Sequence, residues 1–188
     1  CCLVGSEMCI RDSINIDEKK IVTSTGALEL KEVPKKMIVI GAGVIGLEMG
    51  TVWRRLGSEV TVIEYLDRIL PGMDSEIAKK FKLILHKQGI KFELNTAIQD
   101  AKIVKNHVQL TALNNSSKEK LSFDADVVLI ATGRIPNTSN IGLEDLSIKL
   151  SQKGQVLVND EFQTNIPNIY AIGDVIPGTK IYRASMNN

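Results

Sequence analysis

Four apolar residues in a row, Met37 to Ile40, end abruptly on a glycine. A run of that length without alternation predicts a strand buried on both faces. Helical periodicity follows over Val44, Ile45, Leu47, Met49, Val52, Trp53 and Leu56 and stops at Gly57, a residue suited to leaving a helix. That apolar set covers much of the circumference, so the helix should pack against a sheet with Trp53 in its core, and Arg54-Arg55 should form a solvated edge. Val60 to Ile63 predicts a second buried strand and Tyr65 to Met73 a loop. Glu76 to Gln88 predicts an amphipathic helix with apolar face Ile77, Phe81, Ile84 and Leu85. Asp74 or Ser75 would cap it and Gly89 would end it. His86 should face solvent. Ile90 to Leu94 reads as a third strand and Val127 to Ile130 as another buried one. Alternation from Ile98 to Phe123 around the polar loop 114–120 predicts an antiparallel ribbon over the parallel sheet, with His107 on its wet side. Ahead of Pro34, Ile14 to Ile16 and Lys20 to Val22 read as extended pieces with a turn at Ser24-Thr25-Gly26. Beyond Arg134 the chain is loop-rich, with short strands expected at Val156 to Val158 and Ile169 to Ile172.

The chemistry concentrates where the first strand meets its helix. Gly41-Ala42-Gly43-Val44-Ile45-Gly46 matches G-x-G-x-x-G, and Glu64 ends the next strand about twenty residues on. Gly41 permits a tight turn, Gly43 a close approach to a pyrophosphate, and Gly46 close packing of helix on strand. The helix start aims free N–H groups and a positive dipole end at phosphates. Glu64 can accept from both hydroxyls of an adenosine ribose and would repel a 2′-phosphate, so NAD is favoured over NADP. Six residues alone would fit any glycine-rich βαβ turn; strand, motif, helix, strand and acid in register favour dinucleotide binding. The expected fold is therefore α/β, a Rossmann-type parallel sheet with an added antiparallel β-ribbon. Glu48 is an acid within a helix expected to be largely buried. It is either an acid near the helix start favoured by the dipole or a carboxylate paired with a group from a neighbouring domain. Gly133, closing Ala131-Thr132-Gly133, lets backbone approach a ligand at a strand's carboxyl end. Asp174, just past the last expected strand with Gly173, can bind a ligand hydroxyl or serve as a plain turn aspartate.

Composition narrows the partners. The chain has 188 residues, 23 Lys+Arg against 22 Asp+Glu, and 44% apolar residues. That balance carries no nucleic-acid footprint, and no apolar run approaches a membrane span. Cys1, Cys2 and Cys9, the full cysteine complement, fall in the first nine residues and make no metal-ligand spacing with His86 or His107, so no metal site is expected. Residues 1–13 lack a signal-peptide pattern and read as a non-native leader.

GAGVIGLEMGTVWRRLGSEVTVIEYLDRILPGMD, with ATGRIPN and NIYAIGDV behind it, resembles the dihydrolipoyl dehydrogenases among the two-dinucleotide flavoprotein disulfide reductases. The likeness runs over roughly residues 15–178. It implies an NAD-binding domain over 35–150, with 14–34 and 151–188 as segments of a partial second, FAD-binding domain. It places Gly41, Gly43, Val44, Ile45, Gly46 and Glu48 along NAD, Glu64 on the adenosine ribose, Ile98 beside the adenine and Gly133 against the cofactor. Glu48 would pair with a lysine near the flavin that this chain lacks, and Gly173 and Asp174 would meet FAD. The family's amino-terminal FAD fingerprint, its C-x-x-x-x-C redox pair and its catalytic His-Glu pair are missing. Lys180-Ile181-Tyr182-Arg183 also departs from the family pattern, which suggests a foreign or misread end. The chain thus carries no catalytic residue of its own and reads as an inactive NAD-binding fragment. The resemblance further implies a homodimer, a 2-oxo acid dehydrogenase complex, and a bacterial cytoplasm or mitochondrial matrix for the parent. Another flavoprotein such as an NADH oxidase, or a non-catalytic NAD-binding module, are the alternatives.

Overall fold

The computed structural model describes residues 14–133 and 136–178. The expectations for the cysteines and for residues 180–183 lie outside that range. The chain divides into two compact units at Gly133. The resemblance puts its domain boundaries elsewhere, after 34 and after 150. Residues 14–34 pack within the first unit because strand β1 (Ile21–Val22) is paired and buried there.

In that unit a five-stranded parallel sheet has the order β1, β8 (Val127–Ile130), β2 (Lys36–Ile40), β3 (Glu59–Ile63), β4 (Lys91–Glu93). The pleat sends alternate side chains to opposite faces. Met37 and Val39 enter a core shared with helices α2 (Val44–Leu56) and α3 (Ser75–Lys87), while Ile38 and Ile40 enter a second core on the other face. That second core is closed by an antiparallel sheet of β5 (Thr96–Val104), β6 (His107–Asn114) and β7 (Lys120–Ala125), through Ile98, Val108, Leu110 and Ala112. Both faces of the parallel sheet are covered, which is why its strands read as unbroken apolar runs. The ribbon has three strands because a turn at Lys105-Asn106 splits the first arm; His107 is half-exposed, 3.7 Å from Asp124.

Local signals hold at the helix ends. Gly57 closes α2 with φ 112°. Asp74 Oδ1 accepts from the N–H groups of Glu76 (2.9 Å) and Ile77 (3.1 Å) at the start of α3. Asp74→Ala should therefore cost about 1 kcal/mol, read as a lower urea midpoint at unchanged slope.

Four expectations are corrected. Ser24–Glu29 is a short helix, α1, and not a turn, because Gly26 and Ala27 are buried against the sheet and tertiary packing outweighs local propensity. Ile77 and Ile84 are exposed; α3 buries Ala78 and Leu85 with Phe81 beside them, so the inward face is rotated from the expected one. Arg54 is not a solvated edge. Its Nε donates to the Gln88 carbonyl (3.0 Å) and its Nη1 to that of Ser58 (3.2 Å), tying the end of α3 to α2. In the second unit Val156 and Tyr170 make isolated bridges to Leu150 and Gln163 instead of strands. That unit has its own small core of Ile148, Val156 and Ile176, and its Gly173–Val175 forms a 3₁₀ turn.

Candidate functional site

Strand β2 is central. The chain leaves it for β3 and β4 on one side and returns to β8 on the other, so the strand order reverses there. The crevice beyond the carboxyl ends of such strands is where ligands bind in open α/β sheets. Three segments meet at this lip. The Gly41 N–H donates to the Ile63 carbonyl (2.8 Å) and the Ala131 N–H to that of Ile40 (2.8 Å). Gly41 has φ 105°, and a Cβ there would stand 2.6 Å from the Ala131 carbonyl oxygen. A Cβ on Gly46 would run into the Gly41 carbonyl oxygen. These two glycines are required by the chain's own packing.

Gly43 is different. Its φ is −76°, and a Cβ added to it would meet nothing within 4 Å. Among the described residues nothing demands glycine there, and the backbone is open to a group approaching from outside. Helix α2 starts at this residue with no side-chain cap and no acid in its first turn. Among the described residues nothing accepts from the N–H groups of Val44, Ile45 or Gly46. Open backbone, free donors and the positive end of a thirteen-residue helix coincide, an arrangement that receives anions.

Glu64 faces this turn. Its Oε2 accepts from the Ala42 N–H at 2.7 Å and its Oε1 from the Leu66 N–H at 3.0 Å. A carboxylate offers about four lone-pair sites; two are used by these bonds, and the half-exposed group keeps capacity for further donors.

A family model with the description pyridine nucleotide-disulphide oxidoreductase matches residues 9–187 of this chain. The chain belongs to the pyridine nucleotide-disulphide oxidoreductase family. Within it, the chain is 50% identical to the mitochondrial dihydrolipoyl dehydrogenase of Pisum sativum over 93% of its own length and 35% of the relative's. It is 51% identical to that of Homo sapiens, again over 93% of this chain and 35% of the relative. Leghemoglobin reductase of Glycine max is 49% identical over 93% of this chain and 33% of its own. Among solved structures, the Cu(II) complex of the HOCl-induced flavoprotein disulfide reductase RclA from Escherichia coli superposes with TM-score 0.75 at 34% identity, over 84% of this chain and 35% of that one. The chain thus spans about a third of the pyridine nucleotide-disulphide oxidoreductases it matches.

The first unit brings Gly41, Gly43, Val44, Ile45, Gly46 and Glu64 to one lip, with Gly133 (φ 129°) following Ala131 there. Glu48 is exposed, not buried, because it lies on the outward stripe Val44, Glu48, Val52, Leu56 of α2. Ile98 is 6% exposed in the core between the two sheets, so its side chain packs and does not present a surface for adenine. The register slips between Ile98 and Asp100, leaving Gln99 exposed at a bulge. Gly173 (φ 81°) and the exposed Asp174 belong to the second unit, where Asp174 is engaged in an interaction of its own.

The loop expected over Tyr65 to Met73 is present, but sequence reasoning missed the bonds that tie it to the glycine turn. The Leu70 N–H donates to the Ala42 carbonyl at 2.9 Å. Arg68 Nη2 donates to the carbonyls of Pro71 (2.9 Å) and Met73 (2.6 Å). The Thr132 hydroxyl is buried beside the turn without a partner among the described residues. No periodicity marks any of these; the only signal was an arginine inside a loop rich in apolar residues.

Proposed function

We propose that the first unit from Lys35 onward binds NAD as part of the nicotinamide-nucleotide domain of a dihydrolipoyl dehydrogenase, and that the 188-residue chain does not turn over by itself. One observation carries the reading: the Glu64 carboxylate sits on the Ala42 N–H, one strand over from a turn whose Gly43 is open to solvent. Residues and group fit each other. Gly43 leaves room for a diphosphate, the α2 start supplies donors, and Glu64 accepts from the ribose hydroxyls. NAD held by these residues would supply a hydride acceptor, and FAD, held by the rest of the parent protein, would supply the redox link between it and a dithiol substrate. The protein's share is to hold, orient and exclude water. Gly173 and Asp174 are assigned to the flavin, together with residues 14–34 and 151–178 as its partial domain. Val44, Ile45, Gly46, Gly133 and the backbone at Ile98 are assigned to NAD. The exposed Glu48 is assigned to a lysine of the flavin domain. The names of the Pisum sativum and Homo sapiens relatives favour this activity over an NADH oxidase. The printed word mitochondrial in those names favours a mitochondrial setting for the whole protein, for which a homodimer and a 2-oxo acid dehydrogenase complex belong to the same proposal. Among the described residues no helix is long and apolar enough to cross a membrane.

Calorimetry of the chain with NAD and NADP, followed by an assay with dihydrolipoamide and NAD, tests the proposal. Saturable NAD binding with weaker NADP binding and no turnover is expected. Turnover by the chain alone would overturn the inactive-fragment reading, and NADP binding as tight as NAD would overturn the assignment of Glu64.

A further inference from the structure

We infer that Arg68 is a positioning residue for the diphosphate turn, acting through the loop between β3 and α3. The inference rests on the NAD reading above and adds a residue to it.

The chain of contacts is short. Arg68 Nη2 grips two carbonyls of its own loop, Pro71 at 2.9 Å and Met73 at 2.6 Å. The Met73 N–H in turn donates to the Leu70 carbonyl at 2.9 Å, so the segment 68–73 closes on itself. Leu70 is held with φ 46°, a left-handed conformation that a branched apolar residue adopts only when its surroundings fix it. Ile69 and Leu70 are both buried and supply that fixing from the core side. In this conformation Leu70 turns its N–H onto the carbonyl of Ala42, 2.9 Å away.

That last bond has a directional consequence. The Ala42 carbonyl and the Gly43 N–H belong to one planar trans peptide, where they point in opposite directions. Fixing the carbonyl on Leu70 turns the Gly43 N–H the other way. The Ala42 N–H is already held by Glu64 Oε2, so the residue is anchored at both of its backbone groups. Donors fixed before a ligand arrives need no reorganisation when it binds. Arg68 is therefore tied to the aim of a donor it does not touch. Its Nε, buried and without a partner among the described residues, marks a guanidinium seated for the loop's carbonyls and not for its own full satisfaction.

The test uses adenosine and ADP as ligands of the 188-residue chain, with Arg68→Ala and Arg68→Lys. Adenosine engages the Glu64 side of the site, and ADP adds the diphosphate. Arg68→Ala is expected to weaken ADP about tenfold while changing adenosine affinity less than twofold. The ADP-induced amide shift of Gly43 in ¹⁵N–¹H spectra should shrink in parallel. Arg68→Lys, which can still reach one carbonyl, should recover part of the ADP affinity. If Arg68→Ala does not fold, Arg68→Lys carries the test, with a smaller loss confined to ADP. Equal loss of both ligands, or an undiminished Gly43 shift in either variant, would overturn the positioning role. Wild-type chain that binds neither ADP nor NAD would instead overturn the NAD reading.

Discussion

Replacing Glu64 by alanine is expected to weaken NAD binding by about 1.5–3 kcal/mol, the worth of one or two hydrogen bonds to a charged group. The same change should narrow the preference over NADP, because the carboxylate that repels a 2′-phosphate is gone. The geometry also predicts the outcome of a gentler change. Both Glu64 oxygens accept from backbone N–H groups, Ala42 at 2.7 Å and Leu66 at 3.0 Å. In Glu64→Gln the amide nitrogen must face one of those donors, so glutamine should rescue little. Competition titrations of NAD and NADP against the two variants check this. NAD affinity unchanged in the alanine variant would remove Glu64 from the site.

The second large effect separates the glycines. In Gly46→Ala the new methyl meets the Gly41 carbonyl oxygen, with Val39 and Ala131 side-chain atoms at 3.1 and 3.2 Å on its other sides. The Gly41 backbone has little room to yield, since its N–H is bonded to the Ile63 carbonyl and a Cβ at its Cα would already meet the Ala131 carbonyl oxygen. Overpacking of this kind costs about 1–3 kcal/mol, and Gly46→Ala should fall at the upper end while also losing NAD. Gly43→Ala has no such neighbour and an ordinary φ of −76°. It should keep the wild-type urea midpoint within about 0.5 kcal/mol, the scatter of surface substitutions, and still lose NAD. Midpoint and NAD affinity measured together on both variants decide the matter. A destabilised Gly43→Ala, or one that binds NAD normally, contradicts the idea that this glycine is kept for a ligand.

The segment from β2 through β3 was legible because its signals are local. An apolar run, glycines at fixed offsets, a helix ended by Gly57 and an acid at a strand end each act within a few residues. What failed needed tertiary information. Periodicity shows that α2 and α3 are apolar, but it does not say which arc the sheet takes, so Glu48, Ile77 and Ile84 emerged exposed. Helix α1 was hidden because Ser24-Thr25-Gly26 has turn chemistry and only the burial of Ala27 overrides it. Arg54 and Arg68 bond to backbone carbonyls, which are uniform along any sequence and leave no trace in it. Ile98 illustrates the reverse problem. A resemblance assigns it a ligand, while the structure puts its side chain in the core between the two sheets.

The parallel sheet ends in stubs, β1 with two residues on one margin and β4 with three on the other. Lone rows of unpaired amides are what seed strand-upon-strand stacking of neighbouring molecules. With so little ladder on offer at either border, one molecule has scant purchase for extending the sheet of the next. Fibre-like growth through the parallel sheet is thereby disfavoured, which leaves the nine-residue β5 at the margin of the antiparallel sheet as the longer ladder on offer.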